Sequence, residues 1–119
     1  MKILITGATG FVGQTLIPQL QKQHSQVDIL TLNRSVRKAE IMYPSDTYPC
    51  VKHTYADDWK QVKLFNPELV VHLAAFNTSS NDSEVINSLV STNITYGILL
   101  LDALSQCESL KLFINTGSF

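Results

Sequence analysis

Five short apolar runs, separated by longer segments of helical period, constrain the fold of this 119-residue chain more than any other feature. The runs are residues 2–6, 27–32, 51–55, 69–73 and 111–115. Strands that alternate with helical segments are typical of a parallel sheet whose strands are joined by crossover helices. The sequence therefore predicts one α/β domain with a doubly wound parallel sheet, and the chain is long enough to form a core of its own.

Helical periodicity predicts the connections between these strands. The clearest helix is expected over residues 81–107, because Asn81 and Glu84 have the spacing of a capping box and apolar residues follow at helical intervals. Another helix is predicted over residues 11–23. A shorter one is predicted around residues 35–42, before a turn-rich stretch that contains two prolines.

The stretch TGATGFVG, residues 6–13, follows the first strand directly and opens the first helix. Its early glycines permit a tight turn and let backbone amides approach a pyrophosphate, while the third lets helix and strand pack closely. A glycine-rich turn that binds no ligand is the alternative. The candidate ligand contacts are Gly7, Thr9, Gly10, Phe11, Val12 and Gly13.

Charge and composition exclude several classes of function. Nine Lys and Arg against ten Asp and Glu give a formal charge of −1, so no basic surface attracts nucleic acid or anionic lipid. Cys50 and Cys107 lack metal-ligand spacing, and we interpret them as reduced core thiols with no metal site. The first apolar stretch is too short for a signal-peptide core and no run approaches a membrane span, so we expect a cytoplasmic protein.

Further stretches follow the glycine-rich one in order along the chain. They are ADD at 56–58, NPELVVHLAA at 66–75, NITYGILLLDA at 93–103 and FINTGS at 113–118. Together with TGATGFVG they resemble the extended short-chain dehydrogenase/reductase family, which includes nucleotide-sugar epimerases, dehydratases and reductases. The resemblance implies a Rossmann-like sheet ordered 3-2-1-4-5, truncated after the fifth strand, and a site for NAD(P).

The resemblance also implies roles for individual residues. Ser118 stands at the position of the catalytic serine, which hydrogen-bonds the reacting hydroxyl or ketone. Tyr96 stands where the family commonly has a glycine. The remaining implied contacts, to the adenine, ribose and phosphates of the cofactor, are Asp57, Asp58, Leu73, Ala74, Ala75 and Asn93.

The end of the second strand bears on the choice between NAD and NADP. Members that bind NAD carry an acidic residue there, which accepts hydrogen bonds from the ribose 2′-hydroxyl. This chain has Asn33 and Arg34 instead, with Arg37 and Lys38 close behind. A guanidinium can bind a 2′-phosphate through two hydrogen bonds, so NADP is favoured and NAD is the alternative. The other interpretation of these cations is an ordinary solvated helix start.

The resemblance to the family also implies parts of the enzyme beyond these 119 residues. We expect the chain to be the N-terminal part of a longer parent, without the substrate half and without the Tyr-x-x-x-Lys pair that provides acid and base, and therefore to be inactive alone. The parent would act on a nucleotide sugar and form a homodimer through the helix at 81–107. The alternatives are a catalytically silent, NADP-sensing regulator of the same superfamily and a remnant that binds no nucleotide.

Overall fold

A five-stranded, all-parallel sheet forms the centre of the computed structural model, which describes residues 1–74 and 83–116. The strand order is β3-β2-β1-β4-β5, which confirms the predicted Rossmann-like topology. β1 pairs with β2 on one side and β4 on the other, so the chain reverses its direction of winding beside β1. The strands are β1 (Lys2–Thr6), β2 (Asp28–Asn33), β3 (Val51–Tyr55), β4 (Leu69–His72) and β5 (Leu112–Asn115).

Helices connect the strands close to the predicted positions. Ser35 caps the second helix, since its side chain accepts a hydrogen bond from the backbone N–H of Lys38. A third helix, for which the sequence analysis gave no bounds, begins after Asp58 and ends at Asn66, a left-handed residue with φ of 51°. The helices are α1 (Phe11–Gln23), α2 (Val36–Met42), α3 (Trp59–Phe65), α4 (Ser83–Val90) and α5 (Tyr96–Leu104).

The helix predicted over residues 81–107 is present from Ser83 to Leu104 in the described residues, but it is not a regular α-helix throughout. A π turn over Ser91–Thr95 separates α4 from α5, and α5 ends at Leu104. A π turn accommodates one residue more than an α-helical turn. Tyr96 is fixed directly after it by a hydrogen bond from its hydroxyl to the Ala56 carbonyl oxygen, so the wider turn takes up the extra residue before this anchor. The predicted cap residue Asn81 lies outside the described residues.

Apolar side chains cover both faces of the sheet, as strand alternation requires. On β1, Ile3 and Ile5 belong to a cluster with Ile17 of α1, whereas Leu4 belongs to a second cluster with Leu100 of α5. Cys107 is a buried free thiol in the second cluster, as expected from the sequence, and Cys50 is free and half-buried. No helix among the described residues is long and apolar enough to cross a membrane.

Candidate functional site

The largest cavity of the described residues lies at the carboxyl ends of the strands, beside the point where the sheet reverses its winding. Its volume is about 860 Å³. Ligands of open parallel sheets bind at this position, where neighbouring crossovers diverge. The lining residues are Gly7, Ala8, Thr9, Gly10, Leu32, Asn33, Arg34, Ser35, Lys38, Ala56, Leu73, Ala74, Asn87, Ser88, Ser91 and Tyr96.

Two glycines of the predicted loop are required by the fold itself. Gly7 has a φ of +72°, and a Cβ there would lie 2.7 Å from the backbone nitrogen of Ala74. A Cβ on Gly13 would lie 2.3 Å from the carbonyl oxygen of Ala8. Side chains at either position would collide with backbone atoms, so these glycines let β1, β4 and α1 approach each other.

Gly10 differs from both of these glycines. Its φ is −79°, which any residue can adopt, and the nearest atom to a Cβ there would be the Gly7 carbonyl oxygen at 3.2 Å. Gly10 is exposed and lines the cavity. Because the fold does not forbid a side chain at this position, the glycine is best explained by the need for a close approach of something in the cavity.

The carbonyl oxygens of the glycine loop, residues 7–10, all accept hydrogen bonds from the protein. Gly10 N–H donates to Gly7 O at 3.0 Å, and the Tyr43 hydroxyl donates to Ala8 O at 2.6 Å. Gln14 donates twice, from its side chain to Thr9 O and from its backbone N–H to Gly10 O, both at 3.0 Å. A carbonyl oxygen would repel an anion, and these bonds pair each carbonyl oxygen of the loop with a donor from the protein.

The start of α1 is left without a cap. Gly10 offers no side chain, and the first turn contains no acidic residue. The backbone N–H groups of Phe11, Val12 and Gly13 therefore have no acceptor within the helix. They lie at the positive end of the helix dipole, which favours negative charge. The side chains of Phe11 and Val12 are exposed and do not line the cavity, so only their amides are relevant to a ligand. The arrangement suits a phosphate group.

Cationic and polar residues line the cavity at the end of β2. Arg34, Ser35 and Lys38 contribute to its wall, and none of the lining residues that the structure describes is Asp or Glu. Asn33 also lines the cavity, but it is buried and its amide nitrogen donates to the Thr31 backbone oxygen, the Thr31 hydroxyl and the Thr54 backbone oxygen. The donor side of Asn33 is therefore occupied inside the protein.

His72 is a buried, hydrogen-bonded residue at the end of β4. Its Nδ1 lies 2.6 Å from the Thr6 hydroxyl, which also accepts a hydrogen bond from the Ala74 N–H at 3.1 Å. Burial lowers the pKa of His72 and so favours its neutral ring. The cluster fixes Leu73 and Ala74, two predicted contacts that line the cavity, against the glycine loop.

The acidic pair after β3 lies outside the cavity wall. Asp58 caps α3, where it accepts hydrogen bonds from the Gln61 N–H at 3.3 Å and from the Thr54 hydroxyl at 2.5 Å. Asp57 is exposed and likewise does not line the cavity. Ala56, which precedes this pair and was not among the predicted contacts, lines the cavity instead.

Four lining residues from the far side of the cavity were not predicted. Tyr96 packs against Trp59 and His72, with ring centroids 5.5 and 6.1 Å away, and both burial and the nearby Asp57 raise its pKa. The others are Asn87 and Ser88 of α4 and Ser91, the first residue of the π turn. They stand at positions i, i+1 and i+4, a spacing that places polar side chains on one side of a helix.

Three predicted site residues lie elsewhere. Asn93, in the π turn, is exposed and does not line the cavity. Ala75 and Ser118 lie outside the described residues.

The expectation that this chain lacks a Tyr-x-x-x-Lys spacing is wrong, because Tyr48 and Lys52 have that spacing. The two residues do not provide the family's acid–base pair at the cavity. Tyr48 lies in the turn before β3, where its ring meets that of Tyr43 edge to face, and Lys52 lies within β3. Neither residue lines the cavity, which is at the opposite, carboxyl end of that strand.

Comparisons with known proteins agree with this geometry. Residues 3–119 match the NAD dependent epimerase/dehydratase family. An epimerase family protein of Arabidopsis thaliana, the chloroplastic SDR39U1 homolog, is 33% identical over 86 residues, which are 72% of this chain and 24% of that protein. CDP-abequose synthase of Yersinia pseudotuberculosis is 26% identical over 119 residues, which are 100% of this chain and 40% of the synthase.

A solved structure gives the same result. The Bordetella bronchiseptica enzyme WbmG, in complex with NAD, superposes with a TM-score of 0.75 at 25% identity, over 97% of this chain and 36% of WbmG. This chain thus spans less than half the length of each of these three proteins. The match of nearly every residue to one family, together with the sheet order and the glycine loop, shows that the chain belongs to the NAD dependent epimerase/dehydratase family, within the extended short-chain dehydrogenases/reductases.

Proposed function

We propose that this chain is the dinucleotide-binding part of an NAD(P)-dependent enzyme that acts on a nucleotide sugar. The observation that carries the proposal is the uncapped start of α1, which directly follows Gly10 of the cavity wall and a loop whose carbonyl oxygens all accept hydrogen bonds from the protein. A pyrophosphate there would accept hydrogen bonds from the free amides without meeting a carboxylate from the described wall. The loop contacts would be those predicted from the sequence: Gly7, Thr9, Gly10, Phe11, Val12 and Gly13.

The relatives support the substrate class. CDP-abequose synthase is named for a nucleotide-linked sugar, and WbmG has also been solved with NAD and UDP together. The bound nicotinamide would supply the hydride chemistry. In the parent, Ser118 would orient the reacting hydroxyl or ketone, and a substrate half with its own acid–base pair would complete the site. A cytoplasmic location is part of the same proposal.

Within this proposal NADP is the preferred cofactor. A 2′-phosphate carries negative charge, and Arg34 and Lys38 are the charged residues that line the cavity beside the end of β2. Asn33 does not contribute a donor, because its amide hydrogens are directed at Thr31 and Thr54. Preference for NADP thus depends on the two cations.

Titration calorimetry with NADP tests dinucleotide binding. Gly10→Val should abolish binding while the domain stays folded, because the side chain would occupy the space where a phosphate approaches the backbone. Gly97→Ala is the control: it replaces a glycine of α5, its Cβ would have no neighbour closer than 4.0 Å, and Gly97 does not line the cavity. Unchanged affinity in folded Gly10→Val would refute the proposal.

A second titration tests cofactor choice. Arg34→Ala should weaken NADP by about 10- to 150-fold, corresponding to a charged hydrogen bond of roughly 1.5–3 kcal/mol, and leave NAD nearly unchanged. The matched control is Arg37→Ala, which removes the same charge from an exposed residue of α2 that does not line the cavity. Equal losses for both cofactors in Arg34→Ala would show that Arg34 has only a structural role.

The silent-sensor alternative is distinguished with the parent protein. A parent that binds NADP and turns over a nucleotide sugar is an enzyme. A parent that binds NADP with the same loop dependence, yet converts none of a panel of nucleotide sugars, would be a regulator.

We further propose that the parent is a homodimer that covers the outer surface of α4, the π turn and α5. Large apolar side chains on this segment are about half exposed or more, which is unusual for a helix of a monomer. They are Ile86, Val90, Ile94, Ile98, Leu99 and Leu101.

A further inference from the structure

Tyr43 makes a contact with the glycine loop that no local sequence pattern indicates. It is separated from the loop by the whole of β2 and α2, yet its hydroxyl donates to the Ala8 carbonyl oxygen at 2.6 Å. Both residues are buried, with 2% and 0% of their surfaces exposed. This carbonyl oxygen is also the atom that a Cβ on Gly13 of α1 would meet first, so the phenol contacts the loop where it packs against the helix.

The main chain of Tyr43 is fixed in turn by His53 of β3. The His53 Nε2 lies 3.1 Å from the Tyr43 carbonyl oxygen, and since a carbonyl can only accept, Nε2 carries a hydrogen. In the neutral ring Nδ1 is then an acceptor, so the Thr31 hydroxyl, 2.6 Å away, donates to it. The same hydroxyl oxygen accepts from the Asn33 amide at 2.7 Å.

These bonds form a continuous chain from Asn33, at the end of β2, through Thr31, His53 and Tyr43 to the glycine loop. The chain joins the two walls of the main cavity that a dinucleotide would contact at its ribose and at its pyrophosphate. Glycine loops have a large conformational freedom, and a ligand that must order them binds more weakly. A fixed donor on the Ala8 carbonyl removes part of that freedom before the ligand arrives.

We propose that Tyr43 is a positioning residue for pyrophosphate binding: its hydroxyl holds the glycine loop in the binding conformation, and His53 aligns it. Tyr43 touches the Ala8 carbonyl and does not line the cavity, so it acts through the loop and not on the ligand. The proposal rests on the proposed dinucleotide function.

The test uses calorimetry with ADP, which carries a pyrophosphate, and with adenosine, which carries none. Tyr43→Phe keeps the ring and removes the hydroxyl, and it should weaken ADP about two- to ten-fold while the affinity for adenosine stays the same. Tyr48→Phe is the matched control, because it removes the hydroxyl of the phenol that packs edge to face on Tyr43 at 5.2 Å. It should change neither affinity.

Amide hydrogen exchange without ligand gives a second readout. Exchange in residues 7–14 should accelerate in Tyr43→Phe and not in Tyr48→Phe, because only the first variant releases the loop. A general loss of packing would accelerate exchange throughout the first core cluster, and that result would overturn the proposal.

The outcomes separate this inference from the function it rests on. Wild-type protein that binds ADP, with unchanged affinity in folded Tyr43→Phe, overturns the role of Tyr43 and leaves dinucleotide binding intact. Wild-type protein that binds neither ADP nor NADP overturns both. If Tyr43→Phe does not fold, His53→Leu, at a half-buried position, takes its place. It should weaken ADP by a smaller factor, and unchanged affinity there would overturn the proposal.

Discussion

Replacement of Gly13 by alanine should destabilise the fold, whereas the same replacement at Gly10 should mainly affect binding. At Gly13 the new Cβ would lie 2.3, 2.6 and 2.7 Å from three backbone atoms of Ala8. No flexible side chain can move aside, so the loop or the start of α1 must shift. Overpacking of this kind costs about 1–3 kcal/mol. A shift of Ala8 also strains its bond from Tyr43, which contributes about 0.5–1.5 kcal/mol.

Part of this cost is offset. Alanine is favoured over glycine inside a helix by about 1 kcal/mol, and Gly13 lies in the first turn of α1. The expected net loss for Gly13→Ala is therefore about 2 kcal/mol. At Gly10, the residue before the helix, alanine is a poorer cap than glycine and costs about 0.5–1 kcal/mol, with a single contact at 3.2 Å.

Urea unfolding followed by circular dichroism measures the difference. With a slope of about 2 kcal/mol/M, the midpoint of Gly13→Ala should fall by about 1 M, and that of Gly10→Ala by less than half as much. ADP affinity, measured on the folded proteins, should fall more in Gly10→Ala than in Gly13→Ala. A Gly13→Ala variant as stable as the wild type would refute the claim that the close approach of α1 to the loop requires glycine.

Three further predictions concern the surface, the pH dependence and the chemistry. The chain should self-associate at high concentration in sedimentation experiments. Ile98→Asp should abolish the self-association, whereas Ile41→Asp, at an exposed isoleucine of α2, should not. A strictly monomeric wild type would contradict the dimer proposal. Burial, with a smaller effect of Tyr48, raises the pKa of Tyr43 to about 12. The unfolded phenol ionises near pH 10, so the free energy of unfolding should fall between about pH 10 and 12. The fall should be smaller in Tyr43→Phe, and an equal fall in both proteins would contradict the raised pKa of Tyr43. The chain alone, mixed with NADP(H) and nucleotide sugars, should show no change in reduced-nicotinamide absorbance, and turnover lost in Ser118→Ala would prove that expectation wrong.

The sequence predicted the sheet better than it predicted the walls of the cavity. Strand positions follow from the apolar runs, and the strand order is the one that the family resemblance implied. The glycine loop is a local motif whose residues are consecutive in the sequence. The π turn between α4 and α5 could not be predicted in this way. It lies directly before Tyr96, whose hydroxyl bonds to Ala56, a contact between residues 40 positions apart.

Asp58 fits two local sequence patterns at once, the family's cofactor contact and a helix cap. The family pattern indicated a ligand contact after β3, and the same residue also has the spacing of a helix cap, three positions before Gln61. In the fold the carboxylate is used by the cap and by Thr54, which leaves Ala56 at the cavity. A short acidic residue before a helix should therefore be considered first as a cap.

The end of β2 shows why residue type alone does not decide cofactor specificity. An asparagine has donors for a phosphate and an acceptor for a ribose hydroxyl, so the sequence leaves both cofactors open at Asn33. In the fold its amide nitrogen faces two backbone carbonyls and the Thr31 hydroxyl, which leaves only acceptor chemistry for a ligand. Asn33→Asp would set a buried carboxylate against those same oxygens and damage the domain, whatever the cofactor. Cofactor choice must therefore be tested at Arg34 and Lys38, where a change of charge leaves the strand intact.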